Sequence, residues 1–118
     1  MSKSKAKGTA AETAVVAYLR EHGYPGAERR ALSGGADKGD ILAGPGLVWE
    51  VKAHTKGYDF PAWMRETETE RLNALANLGI LVVKPVGVGA ANTGQWWTVL
   101  PLAQLTQLLR DAGYGDES

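Results

Sequence analysis

The N-terminal part of the chain carries apolar residues at helical spacing. The apolar positions that fall on one side of a helix are Ala11, Ala14, Val15, Tyr18 and Leu19. Thr9 and Glu12 have the spacing of a capping box, which predicts that the helix begins at Thr9. Gly23, followed by Pro25, predicts its end. Residues 1–8 are therefore predicted to form a flexible basic arm ahead of the helix.

The middle of the chain has the pattern of a β-hairpin. Two apolar runs, residues 40–43 and 47–52, flank the turn sequence Gly-Pro-Gly at residues 44–46. A shorter stretch over residues 29–32 predicts a further strand ahead of the hairpin. The chain between these elements is rich in glycine and predicts a loop.

The remaining pattern predicts two more helices and two more strands. Residues 61–78 are predicted as a helix stopped by Gly79, and residues 80–86 and 95–100 as buried strands. Leucines at helical spacing over residues 102–112 predict a closing amphipathic helix. The predicted order, α-β-β-β-α-β-β-α, is typical of an α/β domain with a central mixed sheet flanked by helices.

The composition fits one domain. The chain has 118 residues, of which 44% are hydrophobic, enough for a single domain over residues 9–118. It has no cysteine, which excludes disulfides and thiolate metal ligands. No apolar run approaches the roughly 20 residues of a membrane helix, and the N-terminus lacks the pattern of a secretory signal. We therefore expect a cytoplasmic protein without membrane association.

The charges are balanced overall but unevenly distributed. The 13 basic residues equal the 13 acidic residues in number, which argues against a simple basic nucleic-acid-binding protein. Residues 1–30 nevertheless carry 6 Lys or Arg against 3 acids. Four of these basic residues are candidate contacts to DNA phosphates: Lys5, Lys7, Arg29 and Arg30. An ordinary exposed edge is an equal alternative for the two arginines, and a solvated tail for the two lysines.

The hairpin brings three polar residues onto one face. If the Gly-Pro-Gly turn is a three-residue loop, Asp40 lies opposite Glu50, with Cβ atoms about 4.5–5.5 Å apart. Two carboxylates so placed repel each other, and a divalent cation with oxygen ligands would resolve the conflict. Lys52 projects from the same face because it is two residues beyond Glu50, whereas Trp49 and Val51 point toward the core. An ammonium beside a cation and a phosphate can stabilise developing charge.

These residues resemble the PD-(D/E)XK motif of a nuclease superfamily. The motif is represented by Gly39-Asp40, with glycine in place of the motif's proline, and by Trp-Glu-Val-Lys at residues 49–52. The sequence Lys-Gly-Thr-Ala-Ala-Glu at residues 7–12 resembles the start of archaeal and phage Holliday junction resolvases. The resemblance covers about residues 5–112.

The resemblance implies a restriction-endonuclease-like core and a metal-dependent endonuclease. The implied enzyme uses Mg²⁺, for which Mn²⁺ substitutes, to hydrolyse phosphodiester bonds in branched DNA, above all in four-way junctions. It implies a homodimer that makes paired nicks, in the cytoplasm of a bacterium or of a phage-infected host cell. The chain departs from the resemblance in its charge, because those resolvases are strongly basic and this chain is neutral.

The resemblance also implies a role for each residue of the motif. The implied metal ligands are Asp40, Glu50, Glu12 and the carbonyl of Val51. Lys52 would be the catalytic lysine. Ser33 lies in the loop where those resolvases carry an essential serine, although its spacing to Asp40 is shorter.

Other interpretations of the same residues stay open. Glu12 is also explained as the second member of the capping box, and Asp40 as a turn residue. Glu50 and Lys52 would then belong to a solvated strand face. Within the same superfamily, a flap or repair nuclease or a restriction-like enzyme is an alternative. A further alternative is a catalytically silent DNA-binding module of the same fold.

Several residues outside the motif are predicted to have no catalytic role. The acids of the second helix are predicted to form its solvent-exposed face: Glu66, Glu68 and Glu70. Asp37 is predicted to be a polar loop residue, and the glycine-rich residues 87–94 to be a hairpin loop. Trp96 and Trp97 would point to opposite faces of a strand, so one of them is predicted to be exposed, which would suit a subunit interface.

Overall fold

A central β-sheet with five strands organises the protein in a computed structural model that describes residues 3–31 and 35–116. The elements, in chain order, are α1 (Lys3–Glu21), β1 (Glu28–Arg29), β2 (Ile41–Leu42), β3 (Leu47–Lys52), α2 (Phe60–Asn73), β4 (Leu78–Val83), a 3-10 helix (Ala90–Gln95), β5 (Trp97–Val99) and α3 (Leu102–Asp111). The strands lie in the order β1-β2-β3-β4-β5. Neighbouring strands are antiparallel, except that β3 and β4 are parallel. The predicted α/β class, with a mixed sheet flanked by helices, is confirmed.

The side chains of β3 alternate between the two faces of the sheet. Trp49 and Val51 are buried against α1, and this part of the core includes Ala11, Val15, Val16 and Leu19 of that helix. On the other face, Trp63 of α2 packs against Leu81 and Val83 of β4. The prediction that Trp49 and Val51 face the core is confirmed. Alternation places the side chains of Glu50 and Lys52 on the side of the sheet that α2 covers.

Helix α1 begins earlier than the sequence predicts. Thr9 lies inside the helix, where its carbonyl accepts a hydrogen bond from the Thr13 hydroxyl at 2.9 Å. The capping box of Thr9 and Glu12 is therefore wrong, and residues 3–8 continue the helix instead of forming an arm before it. The lysines and alanine of this segment are good helix formers, which favours the extension. Residues 1 and 2 of the predicted arm lie outside the described residues.

Helix α2 ends at Asn73, before the end predicted at residue 78. The N–H of Ala76 donates to the carbonyl of Arg71 at 3.0 Å, and Leu75 adopts a positive φ of 54°. This is the hydrogen-bonding pattern of a Schellman motif, in which one residue at the end of the helix adopts the left-handed conformation. That residue is usually glycine, but here it is Leu75. Gly79, the predicted stop, lies inside β4, where an added Cβ would be 3.1 Å from Thr67 Cγ2.

The last two strands pair as predicted, but their connection is more regular than a hairpin loop. Strands β4 and β5 are antiparallel, and the residues between them include the 3-10 helix, which overlaps the glycine-rich segment 87–94. Trp96 is buried with 7% of its surface exposed, whereas Trp97 is 45% exposed. The prediction that one of the two tryptophans is exposed is confirmed.

Helix α3 presents its apolar side to solvent. None of its residues, all of which lie in the described part of the chain, is buried. Its exposed leucines are Leu102, Leu105, Leu108 and Leu109.

Within residues 3–31 and 35–116, no helix is both long enough and apolar enough to span a lipid bilayer.

Candidate active site

The hairpin formed by β2 and β3 places Asp40 beside Glu50. Ile41 pairs with Trp49, which is the register predicted from the sequence. The Asp40 N–H donates to the Trp49 carbonyl at 2.8 Å, and the Val51 N–H donates to Asp40 Oδ2 at 2.8 Å. These bonds hold the Asp40 carboxylate against β3, where its proximity raises the pKa of the Glu50 carboxyl group.

Gly39 permits the close approach of Asp40 to β3. It has a positive φ of 98°, and an added Cβ would lie 3.0 Å from the Trp49 carbonyl oxygen and 2.9 Å from Val48 Cγ1. Proline fixes φ near about −65° and is incompatible with this backbone conformation. The geometry therefore explains why the residue before Asp40 is a glycine and not a proline.

Glu50 is a buried acid in contact with two other acids. Its residue surface is 3% exposed, and its Oε1 atom finds no hydrogen-bond partner among the described residues. The pKa of Glu50 is raised to about 11, mainly by burial and then by the neighbouring carboxyl groups of Glu70 and Asp40. In the absence of a cation, this raised pKa favours the protonated form of Glu50 at neutral pH.

Lys52 lies between two carboxylates on the α2 side of the sheet. Its Nζ atom is 3.3 Å from Glu50 Oε2 and 2.7 Å from Glu66 Oε2. Burial lowers the pKa of Lys52, but the hydrogen bond to Glu66 and the charges of Glu50 and Glu66 outweigh burial, so the net pKa is raised. Lys52 is therefore a charged ammonium at neutral pH.

Glu12 reaches the site from α1. Its Oε1 atom accepts a hydrogen bond from Arg29 Nε at 3.0 Å. Burial raises the pKa of Glu12, the bond to Arg29 lowers it, and the charge of Asp40 raises it again, with a net increase. The influence of Asp40 shows that the two carboxylates are electrostatic neighbours, although they belong to separate elements. Because Glu12 lies well inside α1, a role in capping the helix does not explain its position.

A cleft of about 560 Å³ joins these residues. The predicted site residues that line it are Glu12, Asp40, Glu50, Val51, Lys52 and Lys7. A second cleft of about 480 Å³ adjoins the first, because both are lined by Glu12 and Asp40. The other predicted DNA contacts line the second cleft: Lys5, Arg29 and Arg30. The structure thus brings the predicted acids and the predicted basic residues to two adjoining clefts.

The two arginines differ in how they are engaged. The guanidinium of Arg29 pairs with Glu12 while its side chain stays 47% exposed. Arg30 is partly buried, and its Nε atom finds no hydrogen-bond partner within the described residues. Arg29 therefore has a structural role in holding Glu12, in addition to its predicted contact with DNA.

Glu70 of α2 is buried, with 1% of its surface exposed, contrary to the prediction that the acids of this helix face solvent. The side chains of Glu66 and Glu68 are 41% and 44% exposed, as predicted. Glu66 nevertheless belongs to the site because it contacts Lys52, whereas Glu68 pairs with Arg71. A signal for this was present in the sequence. Positions 63, 66, 67 and 70 share one helical face, and the first of them is a tryptophan typical of a core.

Asp37 joins the acids of α2, although it was predicted to be an ordinary loop residue. The carboxylates of Asp37, Glu66 and Glu70 offer oxygen atoms that lie within 4.8 Å of one another. This cluster contains none of the predicted metal ligands, but Glu70 connects it to Glu50. The sequence pattern does not predict this contact, because Asp37 is distant from α2 along the chain.

The donor atoms of the site suit a hard divalent cation. The side chains of Glu12, Asp40 and Glu50 offer carboxylate oxygens, the ligands that Mg²⁺ and Mn²⁺ prefer. The buried Oε1 atom of Glu50, for which the described residues provide no donor, is the feature that a cation would satisfy. The N–H of Val51 is used by Asp40, and the predicted role of its carbonyl stays a prediction.

Ser33 lies outside the described residues, and its catalytic role therefore stays a prediction. The catalytic and metal-binding roles of the other motif residues also stay predictions. No family model, curated protein or solved structure matches the chain. The functional assignment accordingly depends on the arrangement of residues around the two clefts.

Proposed function

We propose that the protein is a metal-dependent DNA endonuclease with a restriction-endonuclease-like core. Branched DNA, above all a four-way junction, is its proposed substrate. The observation that carries the proposal is that the hairpin acids, the acid of α1 and Lys52 converge on one cleft. Several oxygen ligands beside a fixed ammonium are the groups that hydrolysis of a phosphodiester needs.

The proposed metal ligands are Asp40, Glu50 and Glu12, with the carbonyl of Val51 as a further candidate. A bound Mg²⁺ or Mn²⁺ ion would polarise the scissile phosphate and lower the pKa of the attacking water. The protein itself holds Asp40 in place through the N–H of Val51, and Glu12 through Arg29. These contacts preorganise the two carboxylates before any ligand arrives.

Lys52 acts by its charge in this proposal. Its raised pKa means that it keeps its proton at neutral pH and is a poor proton acceptor. The ammonium is therefore suited to stabilising negative charge that develops on the phosphate. Its contacts with Glu50 Oε2 and Glu66 Oε2 fix its position at the edge of the cleft.

The basic residues of the adjoining cleft supply the proposed path for the DNA backbone. Lys7 lines the cleft that contains the acids, while Lys5 and Arg30 line the neighbouring one. Phosphates bound along these residues would bring the backbone to the hairpin acids. This arrangement needs no excess of basic residues over the whole chain, because the local charge is what the DNA meets.

A homodimer is part of the proposal, since paired nicks in a four-way junction need two active sites. The exposed leucines of α3 offer an apolar surface for a second copy of the chain. Strand β5, with its exposed Trp97, lies at the edge of the sheet immediately before this helix. Pairing of two such surfaces would bury both of them in a symmetric contact.

A catalytically silent DNA-binding module is the second candidate. The observation in its favour is that the ammonium of Lys52 already lies 2.7 Å from Glu66 Oε2 and 3.3 Å from Glu50 Oε2, so it compensates the charge of Glu66 without a cation. A flap or repair nuclease, or a restriction-like enzyme, would use the same acids on a different substrate.

Substitution Glu50→Gln separates the enzyme from the silent module. We expect it to lower cleavage of branched DNA at least about 100-fold, because the site loses a charged ligand, while DNA affinity stays near that of the wild type. Cleavage is followed on labelled DNA with Mg²⁺, and binding by fluorescence anisotropy with Ca²⁺ in its place. Glu68→Gln is the matched control, because Glu68 has the same charge but is exposed and pairs with Arg71. Unchanged cleavage and binding in Glu50→Gln would exclude the proposed active site.

A further inference from the structure

We infer that Asp37, Glu66 and Glu70 form a second divalent-cation site, beside the acids of the hairpin. Oxygen atoms of these three carboxylates lie within 4.8 Å of one another. They come from two parts of the chain: the loop before β2, and one face of α2, where Glu66 and Glu70 are one turn apart. A set made only of carboxylate oxygens suits Mg²⁺, Mn²⁺ or Ca²⁺.

Buried oxygens without donors point to a ligand at this place. Glu70 is 1% exposed, and neither of its carboxylate oxygens finds a hydrogen-bond partner in the described part of the chain. Glu50 faces Glu70 from β3, but its own unpartnered Oε1 atom belongs to the proposed site of the hairpin, so the two oxygens of Glu70 are the ones that point to a further ligand. Burial of unpartnered acid oxygens is costly, so a group that binds them is expected.

Lys52 does not satisfy these oxygens. Its ammonium contacts Glu50 Oε2 and Glu66 Oε2, and the oxygens without partners are the other oxygen of Glu50 and both oxygens of Glu70. A proton shared between Glu50 and Glu70 would compensate those two residues. It would not account for the approach of Asp37 to these acids, because among Asp37, Glu66 and Glu70 the ammonium of Lys52 contacts Glu66 alone.

The structure also holds Asp37 toward α2. Asn73, near the end of that helix, donates from Nδ2 to the Asp37 carbonyl at 2.8 Å. The Asp37 Oδ1 atom accepts from the Gly39 N–H at 2.9 Å. The loop therefore presents an acid to two other acids, an arrangement that a divalent cation stabilises and that repulsion otherwise opposes.

The site adds to the proposed nuclease centre, but its test does not depend on DNA cleavage. Mn²⁺ alone is the probe, and electron paramagnetic resonance counts the ions bound to the full chain. We expect Glu70→Gln to bind one Mn²⁺ fewer than the wild type, or to bind it at least about tenfold more weakly, because a charged ligand is lost. Asp37→Asn should have the same effect and involves a residue that is exposed, so that folding is not at issue.

The control is Glu68→Gln, which makes the same change on the same helix at an acid outside the cluster. It should bind Mn²⁺ as the wild type does. If Glu70→Gln and Asp37→Asn both keep the number and affinity of ions of the wild type, the inference is wrong.

Asp40→Asn makes this result independent of the proposed function. It should keep the ion at Asp37, Glu66 and Glu70, because Asp40 is not one of the three ligands. A protein that cleaves no DNA, but loses an ion in Glu70→Gln and not in Asp40→Asn, would support this site and reject the nuclease. If the protein cleaves DNA, and Glu70→Gln and Asp37→Asn leave its bound ions unchanged, the nuclease would be supported and this cation site would be rejected.

Discussion

Glu50 and Glu70 are acids from separate elements whose carboxyl groups meet in the interior of the protein. The sequence pattern predicts that Glu50 shares a strand face with Asp40 and Lys52, whereas it predicts that Glu70 is an exposed helix residue. Spacing along one strand predicts which side chains share a face, and so Asp40, Glu50 and Lys52 were found. Contacts between β3 and α2 depend on how the helix is rotated over the sheet. The sequence pattern leaves that rotation open when acids occupy the buried side.

The protonation of these acids leads to a prediction for the metal-free protein. The pKa of Glu70 is raised from 4.5 to about 7, chiefly by burial, so between these values the folded state binds a proton that the unfolded state has released. The free energy of unfolding should therefore fall as pH rises through this range, and Glu50 extends the fall to higher pH.

The measurement is urea unfolding in EDTA at about pH 5 and about pH 8. The wild type should have the lower midpoint at the higher pH, and Glu70→Gln should reduce the difference. Glu68→Gln, at an exposed acid whose pKa is lowered by its bond to Arg71, serves as the control. A wild-type midpoint that rises between the two pH values would contradict the buried, protonated acids.

At the scale of elements, the pattern of apolar residues was a better guide to the existence of helices and strands than to their ends. The start of α1 was misplaced because the capping-box sequence has good helix formers before it. The end of α2 was misplaced because the glycine expected to stop it, Gly79, is used for close packing against Thr67. Local signals compete with packing, and packing decides where both are present.

Leu75 gives the clearest prediction for an element boundary. It is 92% exposed and adopts a φ of 54°, a conformation that costs a residue with a side chain about 1–2 kcal/mol. We expect Leu75→Gly to raise the free energy of unfolding by about 1 kcal/mol, because glycine adopts this conformation without strain.

Leu75→Ala is the matched control, since it removes the same exposed side chain but retains the unfavourable conformation. Urea unfolding of the three proteins measures the effect. The interpretation of this helix end fails if glycine and alanine at position 75 change the stability equally.

At the scale of the whole molecule, the order of elements and the mixed sheet were predictable, because each element carries its own period of apolar residues. The short connections of the hairpin also fixed its register. The role of Asp37 and the exposure of α3 were not predictable, since they depend on contacts between distant parts of the chain. An amphipathic pattern predicts an apolar face, but it does not say whether that face is covered by the same chain or by a second copy.

The central claim is that the acids of the hairpin cleave branched DNA with a divalent cation. The most direct measurement is cleavage of a labelled synthetic four-way junction, compared with linear duplex, flap and single-stranded DNA, in Mg²⁺ and in EDTA. We expect paired, symmetric nicks in the junction, absent in EDTA and absent with the Asp40→Asn protein. If flaps or single strands are cut instead, and this cutting also needs the metal and Asp40, the proposed active site would stand but the proposed substrate would be wrong. If none of these DNAs is cut in a metal-dependent manner, the protein is not the proposed nuclease.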